Sequence, residues 1–178
     1  MNTMWSPWRS EYIDSFLDTR SSDDCFMCMT AIPDSCDDML LKRSENCIIM
    51  MNRYPYNAGH ILIAPNRHCA DLLALTDVEY HEIMHWNRIM IAVLSNLYKP
   101  HGFNVGFNLG IAAGAGVPGH LHLHIVPRWN GDTNFMTSIG DMKVISSSMK
   151  KLRSEIMNGI EEYLQSGLDF KVNPGEAL

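Results

Sequence analysis

The chain has 178 residues and a mass of 20.2 kDa, the length of one ordinary domain. Fourteen Lys and Arg against twenty Asp and Glu give a formal charge of −6, which argues against gripping a nucleic-acid polymer by bulk electrostatics, and 46% hydrophobic residues argue against extensive disorder. No apolar run approaches the roughly 18 residues of a membrane span, and Met1 to Ser15 carries neither an apolar signal core nor a cleavage pattern, so the expectation is a cytoplasmic protein with no membrane partner.

Taken in chain order, Trp8 to Leu17 can form a short helix, followed by an acidic, Cys-containing segment from Ser21 to Thr30. Met39 to Lys42 and Cys47 to Met51 read as strands around a polar turn at Ser44, Glu45 and Asn46. Tyr54 to Gly59 (YPYNAG) is turn chemistry, and His60 to Ala64 is a buried strand ended by Pro65. Thr76 and Glu79 form a capping box that opens a helix running to about Tyr98. Ile83, Trp86, Met90, Val93, Leu94 and Leu97 share one face of it, and Pro100 and Gly102 close it. Phe103 to Leu109 is a strand, Gly110 to Gly119 a glycine-rich loop, His120 to Val126 a strand, and Ser148 to Leu164 a helix. Hairpin-like strands with one long helix and shorter ones predict an α+β fold on an antiparallel sheet.

Two motif matches fail their structural context. His81-Glu82-Ile83-Met84-His85 fits the H-E-x-x-H zinc-protease pattern. Its histidines, however, share the polar helix face with Arg88, opposite Ile83, Trp86 and Met90, and no Glu follows before Glu155 to act as third ligand. Gly114 to Gly119 fits G-x-G-x-x-G, but a proline and a strand follow it where a dinucleotide site needs a helix. The loop could be a flexible hairpin connection, or could let the backbone approach a ligand closely.

His120-Leu121-His122-Leu123-His124-Ile125-Val126 is the sharpest feature. As a strand it would put three imidazoles on one face, about 6.6 Å apart, and Leu121, Leu123 and Ile125 in the core. Core packing supplies no reason for such a row. Two chemistries could use it: metal binding by two of the rings, or an imidazole nucleophile attacking phosphorus, with loop amides, His124 and Arg128 as donors to the phosphoryl oxygens. Five cysteines without a secretion signal argue against a disulfide framework. Cys25-Phe26-Met27-Cys28 alone could be a redox pair, two packed thiols or half of a metal site.

The H-x-H-x-H-x-x run behind a glycine-rich loop resembles the signature of the histidine triad (HIT) family of nucleotide hydrolases and transferases. Asn52-Arg53-Tyr54-Pro55 leading to Gly59-His60-Ile61-Leu62-Ile63-Ala64-Pro65 is similar to a second family segment. Trp5-Ser6-Pro7-Trp8-Arg9 and Trp129-Asn130-Gly131-Asp132-Thr133-Asn134-Phe135-Met136 resemble a bacterial branch that contains diadenosine tetraphosphate phosphorylases.

The resemblance implies a HIT-like domain over 25–130, with an extension over 1–24 and a helix-bearing extension over 131–178, and a homodimer. It implies cleavage of dinucleoside polyphosphates through a nucleotidyl-histidine, with phosphate or water as acceptor. His122 would be the nucleophile, and His124 would bind phosphate and assist the leaving group. Asn52 would contact the ribose, Asn108 a phosphate or bridging oxygen, and Gly114, Gly116 and Val117 the α-phosphate. A base pocket would lie around Ile49 and Met51. Ala115-Gly116 stands where several relatives have Gln or Ser, which removes a side-chain donor. The resemblance further implies structural zinc on Cys25, Cys28, His68 and His120, leaving Cys36, Cys47 and Cys69 as ordinary thiols. Two other readings are a nucleoside phosphoramidate or other AMP-linked hydrolase, and a non-catalytic, zinc-stabilised nucleotide-binding module.

Overall fold

The computed structural model describes residues 25–33, 37–132 and 148–166. The sequence-predicted helix over Trp8 to Leu17, Cys36 and the Thr133 to Met136 segment lie outside them. The elements are α1 (Phe26–Ala31), β1 (Leu40–Arg43), β2 (Cys47–Met51), β3 (Ile61–Pro65), α2 (Asp77–Tyr98), β4 (Gly102–Phe107), β5 (Leu123–Arg128) and α3 (Met149–Ser166). The strands form one antiparallel sheet in the order β1-β2-β3-β5-β4, so the fold is α+β as the sequence predicts.

Strand alternation divides the sheet into two faces. Cys47, Ile49, Met51, Ile61, Ile63, Leu123 and Ile125 turn to a back face, where α2 and α3 complete the main core with Ile83, Met90, Leu94, Leu152 and Ile156. Ile48, Met50, Leu62 and Ala64 turn to the front, where Cys25, Met27 and Val117 cover them. Across the front the register runs Met50↔Leu62↔His124↔Gly106.

The Thr76 capping box forms as predicted: the Thr76 side chain accepts from Glu79 N–H and the Glu79 carboxylate accepts from Thr76 N–H. Arg67 reinforces it with two bonds to Glu79, at 3.0 and 2.9 Å. The cap contributes about 1 kcal/mol, whereas each buried Ile, Met or Leu of the helix contributes roughly 1.5–3 kcal/mol. Packing therefore holds α2 in place and the cap fixes where it starts. Lys99 ends it in the left-handed region at φ 47°.

The predicted strand over His120 to Val126 is shorter in the structure. Pairing starts at Leu123, opposite Ile63 and Phe107. Upstream, His120 N–H goes to Val117 O and Leu121 N–H to Cys69 O, so the chain leaves the ladder before the first two histidines. β4 likewise ends at Phe107 rather than Leu109. Leaving the ladder lets the three histidines part company instead of forming an even row.

Candidate active site and metal centre

His120 turns to the α1 side of the sheet. Its Nδ1 lies 3.3 Å from Cys25 Sγ and 3.5 Å from Cys28 Sγ, and His68 Nδ1 lies 3.2 Å from Cys28 Sγ. The four ligand atoms all sit within 4.8 Å of one another. A tetrahedral ion with Zn–S near 2.3 Å and Zn–N near 2.05 Å has S···N edges of roughly 3.5 Å, so the N₂S₂ donor set fits zinc.

The chemistry of the donors agrees with the geometry. His120 Nε2 donates to Pro65 O at 2.9 Å, because a carbonyl can only accept, and Nδ1 therefore carries the lone pair. Burial pushes His120 down to about 4. Burial and the neighbouring Cys25 push the Cys28 thiol up to about 12. Two adjacent thiolates at this depth need a cation beside them. All four predicted ligands are brought together. Cys69 turns away and gives its S–H to Asp71 O at 3.3 Å.

Beyond that cluster, fixed donors and acceptors set the protonation of the other imidazoles. The Tyr56 backbone N–H can only donate, so His60 Nδ1, 3.1 Å away, accepts; Asn52 Nδ2 approaches the same nitrogen at 3.3 Å. Burial, then His124 and His122, push His60 down to about 2, so it is neutral with its hydrogen on Nε2. That hydrogen points to His124 Nδ1 at 3.0 Å, which places the hydrogen of His124 on Nε2. His122 Nδ1 donates to His120 O at 2.8 Å, and burial lowers the His122 pKa. His122 is thus neutral with a lone pair on Nε2. The His122 and His124 ring centroids are 4.7 Å apart.

The arrangement offers a nucleophilic nitrogen beside an N–H donor, the two halves of a displacement at phosphorus. Asn108 Nδ2 lies 3.5 Å from His124 Nε2 and 3.4 Å from Gly114 O. Asn52 is buried, with Oδ1 accepting from Tyr54 N–H at 2.9 Å. In the glycine loop, Gly110 and Gly114 both adopt φ 82°, and Gly114 N–H goes to Ile111 O at 2.9 Å. Gly114 N–H is therefore already engaged within the loop, as is Ala115 N–H, which goes to Gly110 O at 3.4 Å.

Three expectations need correction. Ile49 and Met51 do not face the histidines: they lie in the back core under α2, and strand alternation gives the front face to Ile48 and Met50. Arg128 does not stand at the His122–His124 pair: Asp132 holds it through Nε at 2.6 Å and Nη2 at 2.9 Å at the far end of β5, where it lines the opposite end of a cavity that His124 also lines. The histidine row is really His60, His124 and His122, with His120 diverted to the thiols. His60 had no assigned role in the sequence reading. The signal for it was a histidine opening a buried strand with Leu62 on the same face, and since Leu62 pairs with His124, His60 falls diagonally beside His124.

The rejected motifs have structural roles. His81 and His85 are exposed, and Glu82 caps the β1–β2 turn by accepting from Asn46 N and Nδ2, the latter at 2.6 Å. The loop after Gly114 enters no helix.

A family model for the HIT domain matches residues 35–131. The fold, the paired histidines and this match make the chain a member of the HIT domain family. The AP-4-A phosphorylase of Mycobacterium tuberculosis (strain H37Rv) is 39% identical over 158 residues, which is 86% of this chain and 81% of that protein. The asymmetrical bis(5′-nucleosyl)-tetraphosphatase of Schizosaccharomyces pombe is 28% identical over 125 residues, 68% of this chain and 65% of that one. Among solved structures, a zinc-bound histidine triad family protein from Mycobacterium smegmatis aligns with a TM-score of 0.68 at 22% identity, covering 83% of this chain and 100% of that one. Plasmodium falciparum diadenosine triphosphate hydrolase aligns with a TM-score of 0.57 at 21% identity, covering 76% and 82%. No helix among the described residues is long and apolar enough to cross a membrane.

Proposed function

We propose that the chain cleaves dinucleoside polyphosphates of the diadenosine tetraphosphate type in two displacements. The observation that carries this reading is the forced protonation pattern: a lone pair on His122 Nε2 next to a hydrogen on His124 Nε2. In the first step His122 Nε2 attacks the α-phosphorus, the bond from that phosphorus to its bridging oxygen breaks, and the departing ATP takes up the hydrogen bond or proton of His124. The N–P bond leaves positive charge on the imidazole, which the Nδ1–H···O=C bond to His120 stabilises. In the second step an oxygen of phosphate or water displaces His122, giving ADP or AMP. The named relatives support the substrate class, and the 39% identity to a phosphorylase favours phosphate as acceptor. Asn52 and Asn108 are proposed to contact ribose and phosphate, and the amides of Gly116 and Val117 the α-phosphate.

Zinc held by Cys25, Cys28, His68 and His120 is proposed as a structural ion. It would tie α1 to the sheet, with all four positions filled by protein. A homodimer is proposed, paired through a sheet edge and the long helix α2; the edge strands of the sheet are β1 and β4. Residues 1–24 and 131–178 are read as extensions of a 25–130 domain.

Product analysis of diadenosine tetraphosphate turnover tests the reaction. Phosphorolysis gives ADP plus ATP and requires phosphate; hydrolysis gives AMP plus ATP without it. His122→Ala abolishes both. A wild-type protein that binds nucleotides yet turns over no nucleotide anhydride would sink the enzymatic reading in favour of a binding module. Turnover confined to phosphoramidates would move the substrate class.

A further inference from the structure

A cavity of about 350 Å³ opens on the front face between β4 and β5, on the far side of His124 from His122's anchor at His120. Its floor follows from register. The front-facing residues of β4 that line it are Asn104 and Gly106, continued by Asn108, while those of β5 are His124, Val126 and Arg128, with Gly106 opposite His124; Gly102, the next front position, lies outside it. Tyr56 forms one wall, its ring stacked on His124 at 6.0 Å and 17°.

Gly106 is the informative residue. Its backbone is not in the left-handed region, and a Cβ built there meets no atom of the described residues within 4 Å. Neither conformation nor packing among the described residues requires glycine, although glycine inside a strand costs roughly 0.5–1 kcal/mol relative to alanine. A strand glycine of this kind marks a place where something else comes close. A side chain at 106 would stand directly beside His124.

The donors fit an oligophosphate. Asn104 Oδ1 accepts from Arg128 Nη1 at 2.6 Å, which turns the Asn104 amide nitrogen away from Arg128. Asn108 Nδ2 sits beside His124 Nε2 at the other end. Arg128 closes the trough as a guanidinium whose plane Asp132 fixes. From His124 to Arg128 the strand rises about 13 Å, enough for an extended triphosphate.

We propose that this trough is the subsite of the departing nucleotide: the phosphate chain beyond the scissile bond lies over Gly106, donated to by Asn104 and Asn108 and met by Arg128. The proposal rests on the dinucleoside polyphosphate reading above.

The test compares Gly106→Val with wild type. Turnover of diadenosine tetraphosphate is measured beside the Kd for AMP, which occupies only the other side of the scissile bond. Gly106→Val lowers kcat/KM on the order of tenfold or more, the loss carried by about 1.4 kcal/mol, and leaves the Kd for AMP within about twofold, under 0.5 kcal/mol. Gly106→Ala gives a smaller loss in the same direction. Gly102→Ala, on the same strand but outside the cavity, leaves turnover unchanged and controls for damage to the β4 edge. Thermal unfolding and light scattering check fold and assembly for all three. Gly106→Val with wild-type kcat/KM, or with AMP binding weakened as much as turnover, overturns the subsite. A loss matched by Gly102→Ala, or accompanied by a changed mass, also overturns it and assigns the glycine to strand or subunit packing. If wild type turns over no dinucleoside polyphosphate, the reaction reading fails first and the subsite falls with it.

Discussion

The acid stability of the protein should depend on His60. The ring is 1% exposed and neutral, wedged between Tyr56 N–H and His124, with its pKa pushed from 6.5 down to about 2. The unfolded chain protonates this imidazole below about pH 6.5 and the folded chain does not, so the unfolded state binds the extra proton and stability falls as pH falls. The slope is about 1.4 kcal/mol per pH unit below 6.5. At pH 4.5 the loss relative to neutral pH is therefore about 2.7 kcal/mol, and it is nearly the same whether the folded value is 2 or 3. The assay is urea unfolding at pH 7.5, 5.5 and 4.5 for wild type and for His60→Gln. The variant keeps a donor towards His124 and removes the titration, and other acid-labile groups act equally on both proteins. The wild type should lose about 2.7 kcal/mol more than the variant over this range. A difference below about 0.5 kcal/mol would mean that His60 charges in the folded state. The hydrogen-bond chain from Tyr56 to His124 would then be wrong.

Metal analysis of the purified protein should find about one zinc per chain, as four protein ligands imply, and Cys28→Ser should remove it; metal retained in that variant refutes the ligand set. His81→Ala with His85→Ala should leave metal content and turnover unchanged, since both side chains are exposed and remote from the thiols. Thr76→Ala should cost about 1 kcal/mol in chemical denaturation without changing KM. Gly159→Leu should destabilise by about 1–3 kcal/mol, because even a Cβ there lies 3.0 Å from Val93 and 3.1 Å from Leu97 across the α2–α3 contact; a neutral result would show that α3 can move away.

Local chemistry made much of the molecule legible. Thr76 and Glu79 gave the start of the long helix because a capping box is a short-range device, and Ile83, Met90 and Leu94 gave its buried face through a fixed 3.6-residue period. The metal quartet was legible through its resemblance, not its spacing: Cys28 and His68 are 40 residues apart, and only the folded sheet brings them to 3.2 Å. The errors share a cause. Alternation along His120 to Val126 assumes a continuous ladder, but Leu121 N–H is claimed by Cys69 O, a partner 52 positions upstream that no local pattern reveals. The base-pocket assignment at Ile49 and Met51 failed by one residue, and in a strand one residue exchanges the two faces. His60 went unassigned because its role is a hydrogen handed to a ring 64 residues away.

His120 takes part in both halves of the site, through different atoms. Its ring faces the thiols while its main-chain carbonyl receives the Nδ1–H of His122. Every residue type brings a carbonyl, so substitution at 120 never deletes that acceptor; it can only displace it. What the imidazole adds is immobility, with one nitrogen on Pro65 and the other among the sulfurs. Replacements at 120 would therefore grade the stiffness of a single peptide plane, read as the fraction of molecules in which the neighbouring ring keeps its reactive tautomer.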